Sequence, residues 1–422
     1  LPEWSKYQIF APLQLKIYMK SSNRGVELAQ SPIRSLIPYA REAITAGKEI
    51  LHLNIGQPDI KTPPKALQKV RSIADDVIPY GSSEGIVSLR KRVATYYEKF
   101  NIDIGYESIL VTTGASEAIQ FSLFSCFDPG DEIIIPEPFY ANYLGYTQMS
   151  GIHIVPVSSS FEREFELPST EAFYDAISPK TRAIFLCNPS NPTGKLYSKE
   201  SLERLAKLVK DQNLFLIVDE VYREFCYDEE FYSVLNIDSI RENVIVIDSI
   251  SKVFSSCGAR IGYVVTRNTD IIQAIIRYAQ LRLCPPHFGQ VLAEACYDEC
   301  DEYLPSVKKE YSERRTFLYE RLSQMDGVNT YKPTAAFYNV VELPVDDAER
   351  FCKWMLTDFE QDGYTVMMAP CDGFYIDKSL GKKQVRIAYV LEKDKLGKAM
   401  DCLEAGLRAY NTSNSIVELK LG

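Results

Sequence analysis

The sequence predicts an α/β protein, a large domain with a mostly parallel sheet covered by helices, plus a smaller α+β domain. Three observations lead there. Between about Lys65 and Leu304, short β-branched apolar runs alternate with helix-like segments, the pattern of a doubly covered parallel sheet. Polar motifs stand directly after several of those runs, at the strand ends where open α/β sheets hold their ligands. Beyond Pro305 the alternation gives way to long helices and fewer strands. The division expected is residues 1–64 as an N-terminal arm with part of the small domain, 65–304 as the large domain, and 305–422 as the C-terminal small domain.

Taken in order, the first thirty residues show no clear period and read as an arm. Ser31-Pro32 is a helix start, a capping hydroxyl followed by proline, and predicts a helix to about Ala46 that stops at Gly47. Ile50 to Ile55 reads as a strand. Ile109–Thr112 reads as the next, leading into an apolar helix over Ala115–Phe127. Further strands are predicted at Glu132–Ile135, Ile152–Val157, Arg182–Leu186, Leu214–Val218 and Val244–Ile247. Ser198 opens an amphipathic helix with Leu202, Leu205 and Leu208 on one face. After Pro305 a charged helix carries Val307, Tyr311, Leu318 and Leu322 on one side. Then come Phe337–Leu343, a helix over Ala348–Gln361, Thr365–Met368, Gln384–Val390 and a last helix to about Tyr410. Ile416–Leu421 alternates, as a strand or a loose tail does.

Bulk properties narrow the function. The 422 residues are 46% hydrophobic and 25% charged, an ordinary globular balance with material for a sizeable core. A net charge of −10 argues against a broad basic face for nucleic acid or anionic lipid. No apolar run reaches membrane-spanning length. The segment IFAPLQLKIYM is interrupted by Gln14 and Lys16 and lacks a cleavage pattern, so it is not a signal core; Leu1 in place of Met leaves the true start open. Ten cysteines without C-x-x-C pairs suggest reduced thiols and a cytoplasmic protein. With three histidines, at 52, 153 and 287, no metal site is expected.

Four polar stretches carry the chemistry. In D-S-I-S-K-V-F-S-S-C-G-A-R-I-G (248–262), Lys252 follows a buried apolar run, where desolvation lowers an amine's pKa and makes it nucleophilic. Ser249, Ser251, Arg260 and the glycines around them suit a phosphate. An imine-forming amine beside a phosphate site suggests pyridoxal phosphate; a surface lysine in a serine-rich loop explains this stretch equally well on its own. Gly114-Ala115-Ser116 sits at a strand-to-helix junction, where unpaired N–H groups attract anions. Asn188-Pro-Ser-Asn191-Pro-Thr-Gly194 is a rigid turn that holds Asn191 between two prolines. Asp219-Glu220-Val221-Tyr222 follows LFLIV, and an aspartate at the mouth of a buried strand needs a cation or strong hydrogen bonds. A protonated pyridine nitrogen is such a cation.

The motifs S-x-S-K-x-F-x-x-x-G-x-R-x-G, N-P-x-N-P-T-G and D-E-V-Y, in this chain, resemble those of fold-type I pyridoxal-phosphate aminotransferases of class I/II. The likeness covers nearly the whole chain from about Ser31. It implies pyridoxal 5'-phosphate as cofactor, Lys252 as the imine-forming lysine, Asp219 on the pyridine nitrogen, and Tyr222 with Asn191 at the ring hydroxyl. It implies a phosphate held by Ala115, Ser116, Ser249, Ser251 and Arg260, and Tyr140 stacked on the ring. Tyr80, in Y-G-S-S-E-G, is similar to a tyrosine that reaches the neighbouring subunit's phosphate, which implies a homodimer. Arg386, with the Gly56 N–H and Asn191, is implied as the clamp on the substrate's α-carboxylate. The expected reaction moves an amino group from an L-amino acid to a 2-oxo acid, 2-oxoglutarate foremost, in a ping-pong cycle. A β-eliminating carbon–sulfur lyase on the same fold is the alternative, since it needs the same residues. A cofactor-binding DNA regulator is disfavoured because few residues precede the fold. Two departures bear on specificity: Ser116 replaces a lysine found in some prokaryotic aspartate aminotransferases, and Cys371-Asp-Gly-Phe374 replaces the more usual proline-glycine turn.

Overall fold

A computed structural model describes residues 21–28 and 32–421. Most of the predicted arm and the Ser31 cap lie outside the described residues. Twelve strands are described: β1 Glu49–His52, β2 Ile109–Thr112, β3 Glu132–Glu137, β4 His153–Ser158, β5 Thr181–Cys187, β6 Phe215–Asp219, β7 Val244–Ser249, β8 Gly262–Val265, β9 Tyr338–Glu342, β10 Tyr364–Met367, β11 Ala369–Pro370 and β12 Gln384–Ala388.

Seven of them form one sheet in the order β2-β8-β7-β6-β5-β3-β4. It is parallel from β7 through β4, while β8 runs antiparallel to both β2 and β7. Successive side chains on the central strands enter two different cores: Ile245 and Ile247 pack on one face, Val244 and Val246 on the other. Each such fully buried side chain contributes roughly 1.5–3 kcal/mol. Burial on both faces is why these strands read as continuous apolar runs. The α/β expectation, a mostly parallel sheet with helices on it, therefore holds.

Two smaller sheets complete the molecule. β1 pairs in parallel with β10, and β11, β12 and β9 form an antiparallel three-stranded sheet. An N-terminal strand thus closes against the C-terminal part of the chain. The helix Cys300–Ser323 runs continuously through residues 304 and 305, where the sequence suggests a domain boundary.

Several expected elements differ. The helix expected from 31 to 46 is split into Pro32–Ser35 and Ile37–Thr45, because Pro38 has no N–H to give the Arg34 carbonyl. It does end at Gly47, with φ +94°. Pro305 lies inside the helix Cys300–Ser323 rather than before it, at the sixth residue, where it removes one intrahelical hydrogen bond. The helix from Ala348 ends at Thr357. Residues 416–421 are neither strand nor loose tail: one helix spans Lys393–Leu421, in keeping with helix formers such as Glu418, Leu419, Lys420 and Leu421. The strand β8 is hidden in the sequence because it is only four residues long and begins on a motif glycine.

Candidate active site

The carboxyl ends of β5, β6 and β7, the N-terminus of the helix Gly114–Cys126, and groups from β9 and β12 surround a cavity of about 490 Å³. Every predicted site residue except Tyr80 lines it. Tyr80 is 80% exposed, on a loop with exposed Val77 and Ile78.

Lys252 stands on the short helix Ile250–Val253 that follows β7. Its Nζ donates to the Gly56 carbonyl at 2.7 Å and lies 3.7 Å from Cys257 Sγ. The turn around it is held by its own hydroxyls. Ser249 Oγ donates to the Ile261 carbonyl at 2.7 Å, accepts the Ser251 N–H at 3.1 Å, and is 2.8 Å from Ser251 Oγ. Arg260 has φ +56° and anchors one guanidinium nitrogen on the Cys257 carbonyl at 3.0 Å. A Cβ at Gly114 would lie 2.3 Å from Arg260 Nη2, so only glycine lets the guanidinium reach the helix N-terminus. Ala115 and Ser116 occupy the first turn of that helix, and Tyr146 lines the same cavity. Hydroxyls, a guanidinium and unpaired helix N–H groups converge here as a phosphate cradle does.

Asp219 ends β6 on the opposite side. It is buried, and burial pushes its carboxyl up to about 6 against the hydrogen bonds of Tyr143 and the Val221 N–H. Tyr143 donates to Asp219 Oδ2 at 2.9 Å. Lys252 also favours the carboxylate, more weakly. Tyr140 lines the cavity while Phe139 is buried outside it; the Tyr140 ring stands edge-on to Tyr143 at 5.4 Å. Asn142 donates to the Tyr140 hydroxyl at 2.7 Å, and burial raises that phenol's pKa.

Tyr222 pairs with a residue the sequence did not signal: its hydroxyl is 2.9 Å from that of Tyr338 on β9. Arg386 is buried on β12, between Tyr338 at 4.7 Å and Phe374 at 5.2 Å from the ring centroids. It donates to Asn191 Oδ1 at 3.0 Å and to the Asn54 carbonyl, and its Nε has no partner. A buried guanidinium on the lining of a cavity is a place for a carboxylate.

Behind the cavity lies an ion cluster that the sequence also left unread. The buried Arg223 reaches Glu220 at 3.3 Å and Asp248 at 3.0 Å. Asp248 accepts the Ser249 N–H at 2.7 Å and the Tyr97 hydroxyl at 2.8 Å, which ties the cluster to the serine turn. Burial raises Glu220 to about 7, opposed by Arg223 and by Ser233.

The donor set fits pyridoxal phosphate. A serine- and arginine-lined cradle suits the phosphate, a buried carboxylate without an ion-pair partner suits a protonated ring nitrogen, and an amine stands between them in the same cavity. Of the residues missed by sequence reading, Tyr143, Tyr146 and Tyr338 carry no local signal; Arg34 and Arg41 stand in the stretch read as a single helix from 31 to 46, with no motif around them.

Comparison with known proteins bears on the family and the fold. A family model described as aminotransferase class I and II matches residues 48–403. An aspartate aminotransferase from Pyrococcus horikoshii is 31% identical over 393 residues, 92% of this chain and 97% of its own. A probable N-acetyl-LL-diaminopimelate aminotransferase from Bacillus subtilis is 33% identical over 387 residues, 87% of this chain and 95% of its own. Among solved structures, an aspartate aminotransferase from Thermotoga maritima superposes with a TM-score of 0.84 at 28% identity, over 92% of this chain and all of that one. An alanine aminotransferase from Pyrococcus furiosus gives 0.84 at 30% identity, with the same coverage.

Proposed function

The chain belongs to the aminotransferases of class I and II, and from that membership we propose that it moves an amino group from an L-amino acid to 2-oxoglutarate in two half-reactions at one site. The observation that supports this most is the meeting of Lys252, Asp219 and Arg386, from distant parts of the chain, in one cavity. The β-eliminating lyase considered from sequence finds no support among the relatives, which are named as aminotransferases.

Bound pyridoxal phosphate supplies a carbonyl carbon for the substrate amine and a ring that withdraws electrons from the substrate's Cα. Ser116, Ser249, Ser251, Arg260 and the Ala115 N–H would hold its phosphate, and Tyr140 would lie against its ring. Asp219 would favour a proton on the ring nitrogen, because a buried carboxylate is stabilised by a cation beside it. Tyr222 and Asn191 would donate toward the ring hydroxyl. Arg386 clamps the substrate's α-carboxylate, and the Gly56 N–H is a further donor. Lys252 Nζ, once the substrate amine has taken its place, would accept the Cα proton and deliver it to the carbon on the far side of the amine nitrogen. Release from the Gly56 carbonyl, where Nζ now rests, gives it the freedom to do so.

Three further expectations belong to this proposal. Tyr80 completes the phosphate site of a second copy, which makes the protein a homodimer; its exposure beside Val77 and Ile78 leaves an apolar surface for that contact. Part of the segment before residue 65, with residues 305–422, forms a small domain that closes on 65–304. The protein is cytoplasmic, in keeping with ten free thiols; among the described residues no helix is long and apolar enough to cross a membrane. The test of the reaction is direct: incubate the full chain and cofactor with single L-amino acids and 2-oxoglutarate, and measure L-glutamate formed. Glutamate appearing in step with the matching 2-oxo acid supports the proposal. Pyruvate and ammonia in its place would overturn it.

A further inference from the structure

Tyr222 and Tyr338 bring more protons to their contact than the contact uses. Both side chains are buried, and both line the cavity. Among the described residues, each hydroxyl has one hydrogen-bond partner, the other hydroxyl at 2.9 Å. Two phenols carry two O–H donors, and one shared bond uses only one of them. The second donor is left over for a ligand.

The packing decides which hydroxyl keeps it. A Cβ on Gly56 would stand 1.7 Å from the Tyr338 hydroxyl, so that hydroxyl is closed in against the main chain. A Cβ on Gly194 would stand 2.2 Å from the Tyr338 carbonyl, and Gly194 ends the turn that carries Asn191. The Tyr338 ring is fixed as well. It meets the Tyr222 ring at 87° with centroids 5.5 Å apart, and the Arg386 guanidinium lies over it at 4.7 Å. Main chain and ring contacts thus hold Tyr338 in place, and the hydroxyl that can serve a ligand is that of Tyr222.

We propose that Tyr338 is a positioning residue for the cofactor: it donates to Tyr222 Oη, which fixes that phenol and strengthens the bond Tyr222 gives to the ring hydroxyl. This rests on the reading that places Tyr222 at that hydroxyl. A hydroxyl that accepts one hydrogen bond gives a stronger one. The ring oxygen is then stabilised as the anion, and the nitrogen through which Lys252 holds the cofactor loses its proton more readily. Tyr338 stands on β9, which pairs with the Arg386 strand β12, so the small antiparallel sheet tunes the proton affinity at the cofactor.

The test is the pH at which the visible absorption of the resting full-length holoenzyme changes over, with no substrate present. Wild type is compared with Tyr338→Phe, Tyr222→Phe and the double variant. Tyr338→Phe keeps the ring beneath Arg386 and against Tyr222, and removes only the hydroxyl. Its changeover is expected about half a pH unit higher, roughly a threefold shift in the proton equilibrium. Tyr222→Phe should move it further in the same direction. The double variant should match Tyr222→Phe, because Tyr338 acts through Tyr222. Gly56→Ala presses on the Tyr338 hydroxyl with Tyr338 still present, and should repeat the upward shift of Tyr338→Phe. An unmoved changeover in Tyr338→Phe would overturn the proposal whatever its effect on unfolding, since packing alone does not touch the cofactor's proton. Shifts that simply add in the double variant would also overturn it, because Tyr338 would then act on the cofactor directly. Failure of the underlying reading looks different: Tyr222→Phe would itself leave the changeover at the wild-type pH, and this proposal would fall with it.

Discussion

Tyr143 and Asp219 are joined by a 2.9 Å hydrogen bond that reaches across the cavity wall from the helix after β3 to the end of β6. The bond favours the charged carboxylate, and burial opposes it strongly enough to leave Asp219 at about 6. The group that must stay ionised to hold a protonated ring therefore titrates near neutrality in the unloaded protein.

Removing that donor should show in the pH profile. Tyr143→Phe takes away a hydrogen bond to a charged group and lets the carboxyl rise further, by about one pH unit. The acid limb of kcat/KM is expected to move toward higher pH in the variant. An unmoved limb would mean that Asp219 does not govern it.

The same burial makes a stability prediction for the cofactor-free protein. Asp219 is raised when folded, so its contribution is fully favourable below about 4 and is lost as pH rises through about 6. Asp219→Asn removes the cost of a buried charge and should stabilise the apoprotein at pH 8 by on the order of 2–3 kcal/mol, with little gain near pH 4. Urea unfolding at the two pH values checks this. The variant should at the same time lose most of its turnover, because a neutral amide holds the ring proton poorly.

Gly56 is predicted to resist even alanine. An added Cβ would lie 1.7 Å from the Tyr338 hydroxyl, which is paired with Tyr222. Gly56→Ala should displace that tyrosine pair and cost roughly 1–3 kcal/mol of stability, measured by denaturant unfolding. Gly56→Ala in a Tyr338→Phe background removes the clashing hydroxyl and should recover part of the loss.

How much of this was legible in the sequence depends on the residue type. Lys252 and Asp219 could be found because a charged group at the end of a buried strand is expensive without a purpose, and such groups are few; Arg386, in the middle of its strand, was reached only through the family resemblance. Tyr143 and Tyr338 could not, because they are two of 27 tyrosines and only long-range packing brings them to Asp219 and Tyr222. The fold was legible where burial imposes a pattern, as in β5 to β7. It was misread where proline was taken as punctuation: Pro305 does not open a helix but lies within one, and Pro38 interrupts one taken to be continuous. Arg34 and Arg41 were missed for a related reason, since a guanidinium on an amphipathic helix looks like a solvated face until the cavity beneath it is known.

Arg386→Lys keeps the charge and discards the planar fork. Its partners, Asn191 and the Asn54 carbonyl, would then be served by a shorter set of donors. The expected result is a fall in kcat/KM of roughly 100-fold for every amino acid, acidic or apolar, equivalent to about 2.7 kcal/mol. Steady-state kinetics across donors checks it, and a loss confined to acidic donors would assign Arg386 to the side chain instead.

The most direct test of the central claim, that Lys252 in this cavity performs amino transfer, is the visible absorption of the purified holoenzyme during addition of an L-amino acid and then 2-oxoglutarate. The account predicts that the amino acid converts the cofactor's aldehyde-derived band to that of its amine form, and that 2-oxoglutarate restores it. Lys252→Ala should bind the cofactor non-covalently and show turnover lower by roughly 10⁴-fold. A cofactor band that never converts, or a Lys252→Ala variant that turns over at the wild-type rate, would contradict the account.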